Sequence, residues 1–259
     1  MMDAIILAGG ETPENLKAAL GASTPVERAL LEINGRTVMD LIFESFVGVS
    51  EIESVVVVGG PSTLASVENT SPKTVGVTAQ STLVENIMAG ARACSSSQLL
   101  LCTCDIPLVT SQTWREFLGL VQLQNLEAAY SVASRASVEK SFPEGKRTYA
   151  TLKDGTFTGG NAFVLPREGI GQLKDLIDAG YRARKNPLGL ARLLGLGFLL
   201  KAVTKKLSIA DLESKASQIL KCRAGAVVMQ DASLAFDVDK MEDYQLAQKM
   251  LARSTPRGA

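Results

Sequence analysis

The sequence predicts an α/β protein with a mostly parallel or mixed sheet and helices on both faces. Short apolar runs, typical of strands buried on both faces, alternate with segments whose apolar residues recur at helical spacing. Strands separated by helices form βαβ units, and ligands bind beyond the carboxyl ends of the parallel strands. Three of the predicted strands end at chemically distinctive residues, which are Gly9-Gly10, Gly59-Gly60 and Asp105.

The elements of the first half follow in regular order. Residues 4–8 form a continuous apolar run, the pattern of a buried strand. Residues 38–46 place apolar side chains at helical spacing, and the β-branched run at 54–58 predicts the next strand. The remaining predicted elements are a strand at 74–78, a helix at 83–93 and a strand at 99–103.

After residue 128 the pattern changes. Strands at 148–152 and 160–165 flank an Asp-Gly pair, which is a strong hairpin signal. Ser208 and Asp211 predict a capping box at the start of a helix. The other predicted elements are strands at 128–133 and 224–229 and helices at 170–183, 188–203 and 243–252. We therefore expect one domain over residues 1–252, with an inserted lobe around 134–223 and a disordered tail at 253–259.

The amino-acid composition restricts the possible chemistry. The chain has 259 residues, of which 46 % are hydrophobic and 21 % charged, as in ordinary globular proteins. It contains no histidine, which excludes Ser-His-Asp and Cys-His systems and imidazole metal ligands. Catalysis must therefore use carboxylates, lysine or arginine, backbone dipoles and a hard cation. This favours phosphate chemistry assisted by Mg²⁺.

Charge and cysteine usage indicate partners and location. Basic and acidic residues number 27 each, so the chain lacks the electrostatic footprint of a protein that binds nucleic acid or an anionic membrane. The apolar stretch at 187–203 is interrupted by charges, so we expect a buried or homodimer-facing helix and no membrane span. The cysteine spacing fits neither a zinc site nor a disulfide, which predicts reduced thiols in a cytoplasmic protein; the cysteines are Cys94, Cys102, Cys104 and Cys222.

Three aspartates are candidate metal ligands. Asp105 follows a buried strand, where a carboxylate is well placed to bind a hard cation. Asp237 and Asp239 would share one face of a strand because they are two residues apart. Together the three carboxylates would form an oxygen-rich Mg²⁺ site, although a solvated strand end also accounts for the second pair. The turn at Gly9-Gly10 brings backbone N–H groups close to a phosphate, but it matches neither a Walker loop nor a dinucleotide fingerprint.

Five segments in order resemble the MobA-like NTP transferases, a family with a Rossmann-like, nucleotide-diphospho-sugar transferase type of fold. These segments are residues 5–10, 29–39, 104–108, 159–163 and 236–243. The resemblance implies a nucleotidyltransferase that moves an NMP from an NTP to a small phosphorylated acceptor, with Mg²⁺ as cofactor and pyrophosphate as leaving group. The residues that it implies are Leu7, Ala8, Gly9, Gly10, Gln80 and Asn86 for the nucleotide, Asn161 for the acceptor, and Asp105, Asp237 and Asp239 for the metal.

The segment after the glycine turn departs from the family pattern. The family has an arginine soon after the turn and a lysine before the next apolar run, and these cations neutralise the triphosphate. Here residues 11–17 are longer and more acidic, Arg28 stands at the lysine position, and Lys17 would replace the arginine. We therefore take Arg28, Lys17 and Asp105 as the catalytic residues.

Two other functions remain compatible with the sequence. The first is a glycosyltransferase of similar fold that uses a nucleotide-sugar, which an Asp-x-Asp motif near Asp105 would favour; residues 104–107 lack that motif. The second is a non-catalytic nucleotide-binding regulatory protein, which the altered segment at 11–17 would favour. The identities of the base and the acceptor stay open.

Overall fold

The computed structural model describes residues 1–68, 73–172, 174, 195–204 and 206–254. Its strands are β1 (Met2–Ala8), β2 (Glu32–Ile33), β3 (Arg36–Thr37), β4 (Ile52–Gly59), β5 (Thr74–Thr78), β6 (Gln98–Thr103), β7 (Ala128–Ser134), β8 (Ala150–Leu152), β9 (Gly155–Pro166) and β10 (Ala224–Met229). Its helices are α1 (Glu14–Leu20), α2 (Val38–Ser45), α3 (Pro61–Val67), α4 (Leu83–Ala93), α5 (Ser111–Leu123), α6 (Arg135–Ser141), α7 (Leu196–Val203), α8 (Ile209–Leu220) and α9 (Met241–Ser254).

An eight-stranded mixed sheet forms the centre of the molecule, in the order β10-β7-β9-β6-β1-β4-β5 with β8 paired to β9. β1 runs parallel to both β4 and β6, as the βαβ pattern predicts. β9 is antiparallel to its neighbours β6 and β7. The predicted α/β class with a mixed sheet is confirmed. The segment predicted as an inserted lobe, residues 134–223, supplies β9 to the middle of this sheet.

Apolar side chains cover both faces of the sheet. Along β1, Ala4 and Ile6 join the core on one face, and Ile5 joins the core on the other. This alternation follows from the two-residue period of a strand, and burial on both faces explains the uninterrupted apolar run. The four cysteines are free, and Cys94, Cys102 and Cys104 are buried in these apolar clusters. Burial raises the pKa of Cys94 to about 12.

A third apolar cluster lies beside the sheet and includes part of the segment 236–239, which carries Asp237 and Asp239. It combines Leu16 of α1 with Phe236, Val238 and residues of α9. Residues 236–239, which we predicted as a strand, form a loop instead, because the backbone N–H of Val238 donates to the Asp105 carbonyl oxygen (3.0 Å) and not to a strand partner. Burial of Phe236 and Val238 leaves the intervening Asp237 on the opposite side.

Local signals in the second half are confirmed where the structure describes them. β8 and β9 form the predicted hairpin around Lys153 and Asp154. Ser208 and Asp211 form the predicted capping box of α8. Most of the helix expected at 170–183, the first part of that expected at 188–203, and residues 255–259 lie outside the described residues. Among the helices that the structure does describe, none has the length and apolar character needed to cross a membrane.

Candidate active site

The predicted nucleotide residues meet at the carboxyl end of β1. Gly9 lies so close to the loop after β5 that a Cβ on it would be 2.7 Å from Ala79 Cβ and 3.4 Å from Asn86 Nδ2. Asn86, in the first turn of α4, accepts a hydrogen bond from the Gln80 backbone N–H (2.5 Å) through its Oδ1. The structure therefore brings the glycine turn, Gln80 and Asn86 together.

Residues 11–28 leave the glycine turn and return to it. The backbone N–H of Thr12 donates to the Val26 carbonyl (2.7 Å), and that of Arg28 donates to the Gly10 carbonyl (3.0 Å). Within the segment, α1 buries Leu16 in the third apolar cluster. The longer loop thus folds into a defined structure and places Arg28 beside the glycine turn.

Asp105, Asp237 and Asp239 converge, and each offers one carboxylate oxygen within 4.8 Å of the others. The carboxylates approach each other because the loop that carries Asp237 and Asp239 is bonded to the backbone of Asp105. Asp105 follows β6, which pairs with β1, and the backbone hydrogen bond from Val238 holds the 237–239 loop against it. The sequence prediction that these carboxylates lie together agrees with the structure, although a loop and not a strand presents the second pair.

The Arg28 guanidinium bridges this acidic group. It forms an ion pair with Asp105 and another with Asp239 at 3.1 Å. Burial tends to lower the pKa of Arg28, but the two carboxylates outweigh burial and raise the pKa above its usual range. The guanidinium is therefore fully charged at this edge of the sheet.

The donor set of this cluster fits a hard divalent cation. The ligand atoms are carboxylate oxygens, which Mg²⁺ prefers. Asp105 Oδ1 is buried and has no hydrogen-bond partner among the described residues, a condition that costs free energy unless another group satisfies the oxygen. Burial, together with the neighbouring Asp239 and Asp105 charges, raises the pKa of Asp237 to about 6 in spite of the nearby Arg147. A cation at this position would offset the repulsion among the three carboxylates.

Arg147 organises the loop that carries Asp237. Its side chain, 10 % exposed, forms an ion pair with Asp243 at 3.1 Å. It also donates to the carbonyl oxygens of Ala235 and Asp237, each at 3.0 Å, and lies over the Phe236 ring. No sequence signal marks this role, because the two backbone oxygens that Arg147 binds here lie about 90 positions away in the chain.

Replacement of Arg147 by alanine is expected to destabilise the protein by about 3 kcal/mol, because Asp243 would remain buried without its partner. Arg147→Lys keeps the charge but loses the planar fork, so we expect an intermediate loss. The free energy of unfolding of both variants is measured by denaturant unfolding. The control is Arg135→Ala, whose guanidinium is half exposed over Tyr149 and should cost less than about 1 kcal/mol. Equal losses in the alanine variants of Arg147 and Arg135 would contradict this role.

In the second glycine pair, Gly59-Gly60, the lack of a side chain at Gly60 makes room for the Glu27 carboxylate. A Cβ on Gly60 would meet the Glu27 carboxylate at 2.5 Å. That carboxylate accepts hydrogen bonds from the backbone N–H groups of Ser62 (3.1 Å) and Thr63 (2.8 Å) at the start of α3. Glu27 therefore caps this helix from a distant part of the chain. Because Glu27 directly precedes Arg28, these hydrogen bonds also hold the backbone next to Arg28.

Lys17 and Asn161 are also among the predicted site residues. Lys17 forms ion pairs with Glu14 (2.9 Å) and Glu11 (3.5 Å) of its own segment, and the structure shows none between it and the three aspartates. Asn161 lines a cavity that also includes Asp237 and Asp239, and its Nδ2 donates to the Leu234 carbonyl (3.1 Å).

Comparisons with known proteins agree with this arrangement. The family model for the MobA-like NTP transferase domain matches residues 4–189. A hypothetical transferase from Thermus thermophilus is similar over 94 % of this chain and 100 % of its own, with 31 % identity and a TM-score of 0.76. Comparison with curated proteins gave no match.

More distant structures share the fold. A CMP:2-keto-3-deoxy-manno-octonic acid synthetase complexed with CTP aligns with 97 % of this chain and 98 % of its own at 13 % identity, with a TM-score of 0.61. A 4-diphosphocytidyl-2C-methyl-D-erythritol synthase from Anaerococcus prevotii aligns with 98 % and 99 %, also at 13 % identity, with a TM-score of 0.58. With its family match, sheet and converging site, the chain belongs to the MobA-like NTP transferases and is a nucleotidyltransferase.

Proposed function

We propose that the protein transfers an NMP from an NTP to a small phosphorylated acceptor in a Mg²⁺-dependent reaction. An oxygen of the acceptor phosphate forms a bond to the α-phosphorus. The bond from the α-phosphorus to the oxygen that bridges it to the β-phosphorus breaks, and its electron pair leaves on pyrophosphate. The observation that supports this proposal is the approach of Asp105, Asp237 and Asp239 to one another beside Arg28 and the glycine turn.

The nucleotide side of this site is assigned to residues 7–10 with Gln80 and Asn86. The exposed turn at Gly9-Gly10 allows its backbone to approach phosphate oxygens. Gln80 is exposed, and Asn86 holds its backbone. Its Nε2 donates to the Thr78 carbonyl oxygen (2.9 Å), a contact that the base would replace.

The cations of residues 11–28 are assigned to the triphosphate. Arg28 lies beside the turn and would stabilise charge as pyrophosphate leaves. Lys17 is the second cation of this segment, and it would exchange its glutamate partners for phosphate oxygens.

Asp105, Asp237 and Asp239 are assigned to the metal, which when bound supplies charge neutralisation and orients the triphosphate. Asn161 is assigned to the acceptor because it lines the cavity that also includes Asp237 and Asp239. The same proposal includes the single domain over residues 1–252 and a cytoplasmic location. The family match favours nucleotidyl transfer over the two alternatives, glycosyl transfer and a non-catalytic role.

The test is pyrophosphate release from each of the four NTPs, with Mg²⁺ and a panel of small phosphorylated acceptors. Nucleotide binding is measured in parallel by thermal shift. We expect release that requires both the metal and one acceptor, and a ranking among the bases. Tight nucleotide binding without release from any acceptor would argue against transfer, and equal shifts with all four bases would remove the role of Gln80.

A further inference from the structure

A polar cavity of about 330 Å³ opens beside the three aspartates. Its lining includes Asp237, Asp239 and Asn161. This volume is at the lower end of the range for ligand pockets, about 300 to 1,000 Å³. The cavity therefore suits a small molecule that contacts the same carboxylates.

Three cations and three carboxylates line this cavity, and the cations differ in availability. Arg147 is committed to Asp243 and to three backbone carbonyl oxygens. Lys146 and Lys240 are exposed, and within the described part of the chain neither has an ion pair. These two lysines are the positive charges that the cavity offers to a ligand.

Two glycines in the lining, Gly159 and Gly160, pack closely against side chains of β7. A Cβ on Gly159 would overlap the Tyr130 hydroxyl, and one on Gly160 would overlap the Ser131 hydroxyl. Tyr130 stacks on Phe163 with ring centroids 4.4 Å apart, and its hydroxyl lies against Gly159. The aromatic ring thus limits the size of the ligand, and its hydroxyl offers a polar contact.

The proposed reaction requires two anions to approach each other. A phosphate that attacks a triphosphate meets like-charge repulsion, which is strong where water is excluded. Arg28 provides positive charge on the nucleotide side of the carboxylates. In the cavity, the cations that have no ion pair among the described residues are Lys146 and Lys240.

We infer that Lys146 and Lys240 bind the attacking phosphate of the acceptor in this cavity, and that Tyr130 limits the size of the group attached to it. This inference rests on the proposed function. It identifies the cations on the acceptor side and restricts the acceptor to a compact phosphate compound.

The test combines chemical protection with substitution. The wild-type protein is acetylated with an amine-reactive ester at rising inorganic phosphate and constant ionic strength, and each lysine is followed by peptide mass spectrometry. We expect phosphate to protect Lys146 and Lys240, with little protection of Lys140, an exposed lysine outside the cavity. Equal protection of all three lysines would overturn the inference.

The variants give a second readout. In Lys146→Gln and Lys240→Gln, we expect KM for the active acceptor to rise about tenfold, with NTP affinity unchanged within about twofold; Lys140→Gln should change neither value. Tyr130→Ala should admit larger acceptors. Unchanged acceptor KM in both lysine variants, while the wild type releases pyrophosphate, would refute the inference and leave the proposed function standing. Absence of release from the wild type with every acceptor would count against the proposed function, whereas selective phosphate protection would still support an anion site.

Discussion

Replacement of Asp105 by asparagine is expected to lower Mg²⁺-dependent turnover by about a thousandfold, or about 4 kcal/mol of transition-state stabilisation. Asparagine has nearly the same shape but no charge. The change removes a carboxylate from the three-aspartate cluster and also breaks the ion pair with Arg28. The buried Oδ1, which has no hydrogen-bond partner within the described part of the chain, would no longer be available as an anionic ligand. Turnover is measured as pyrophosphate release at saturating NTP and acceptor.

Two further measurements separate metal binding from folding. Mn²⁺ has the same preference for carboxylate oxygens, and its binding can be followed by electron paramagnetic resonance. We expect Asp105→Asn to weaken Mn²⁺ binding while circular dichroism shows an intact fold. Glu144→Gln, which neutralises an exposed carboxylate paired with Lys249, is the control and should leave turnover unchanged. Turnover within about tenfold of the wild type in Asp105→Asn would contradict the metal assignment.

The fold could be predicted largely because buried strands have a direct signature. The apolar runs of β1, β4 and β6 are long enough to identify and end at distinctive residues. The loop at residues 236–239 could not be distinguished from a strand, since alternation of buried and polar residues is the same in both. Its conformation depends on the tertiary hydrogen bond from Val238 to Asp105 and on burial of Phe236 in a distant cluster.

The site could be predicted in part for a similar reason. Asp105 and Gly9 stand at strand ends, where sheet topology fixes their location, so their proximity follows from the order of strands. Arg147 and Glu27 could not be found in this way. Arg147 acts through backbone carbonyl oxygens, and Glu27 caps a helix that begins 34 positions later, at Pro61. No spacing in the sequence predicts such contacts, because they depend on how loops fold back onto the sheet.

Replacement of Arg28 by alanine is expected to change the affinity for metal and the kcat/KM for NTP in opposite directions. The guanidinium bridges Asp105 and Asp239, so it competes for the carboxylates assigned to the metal. Its removal leaves these carboxylates with unrelieved repulsion, and we expect Mn²⁺ to bind about tenfold more tightly without nucleotide. The triphosphate loses its nearest cation, and we expect kcat/KM for NTP to fall about a hundredfold.

The opposite signs make this prediction specific, because a misfolded variant would lose affinity for both ligands. Arg28→Lys keeps the charge but cannot bridge two carboxylates as a fork, so it should retain more turnover than Arg28→Ala. Arg36→Ala, which removes an exposed guanidinium paired with Glu44, is the matched control and should alter neither affinity. Weaker Mn²⁺ binding in Arg28→Ala would show that Arg28 supports the carboxylate cluster and does not compete with the metal. In that case the guanidinium would stay on Asp105 during turnover, and the cation for the triphosphate would have to be Lys17.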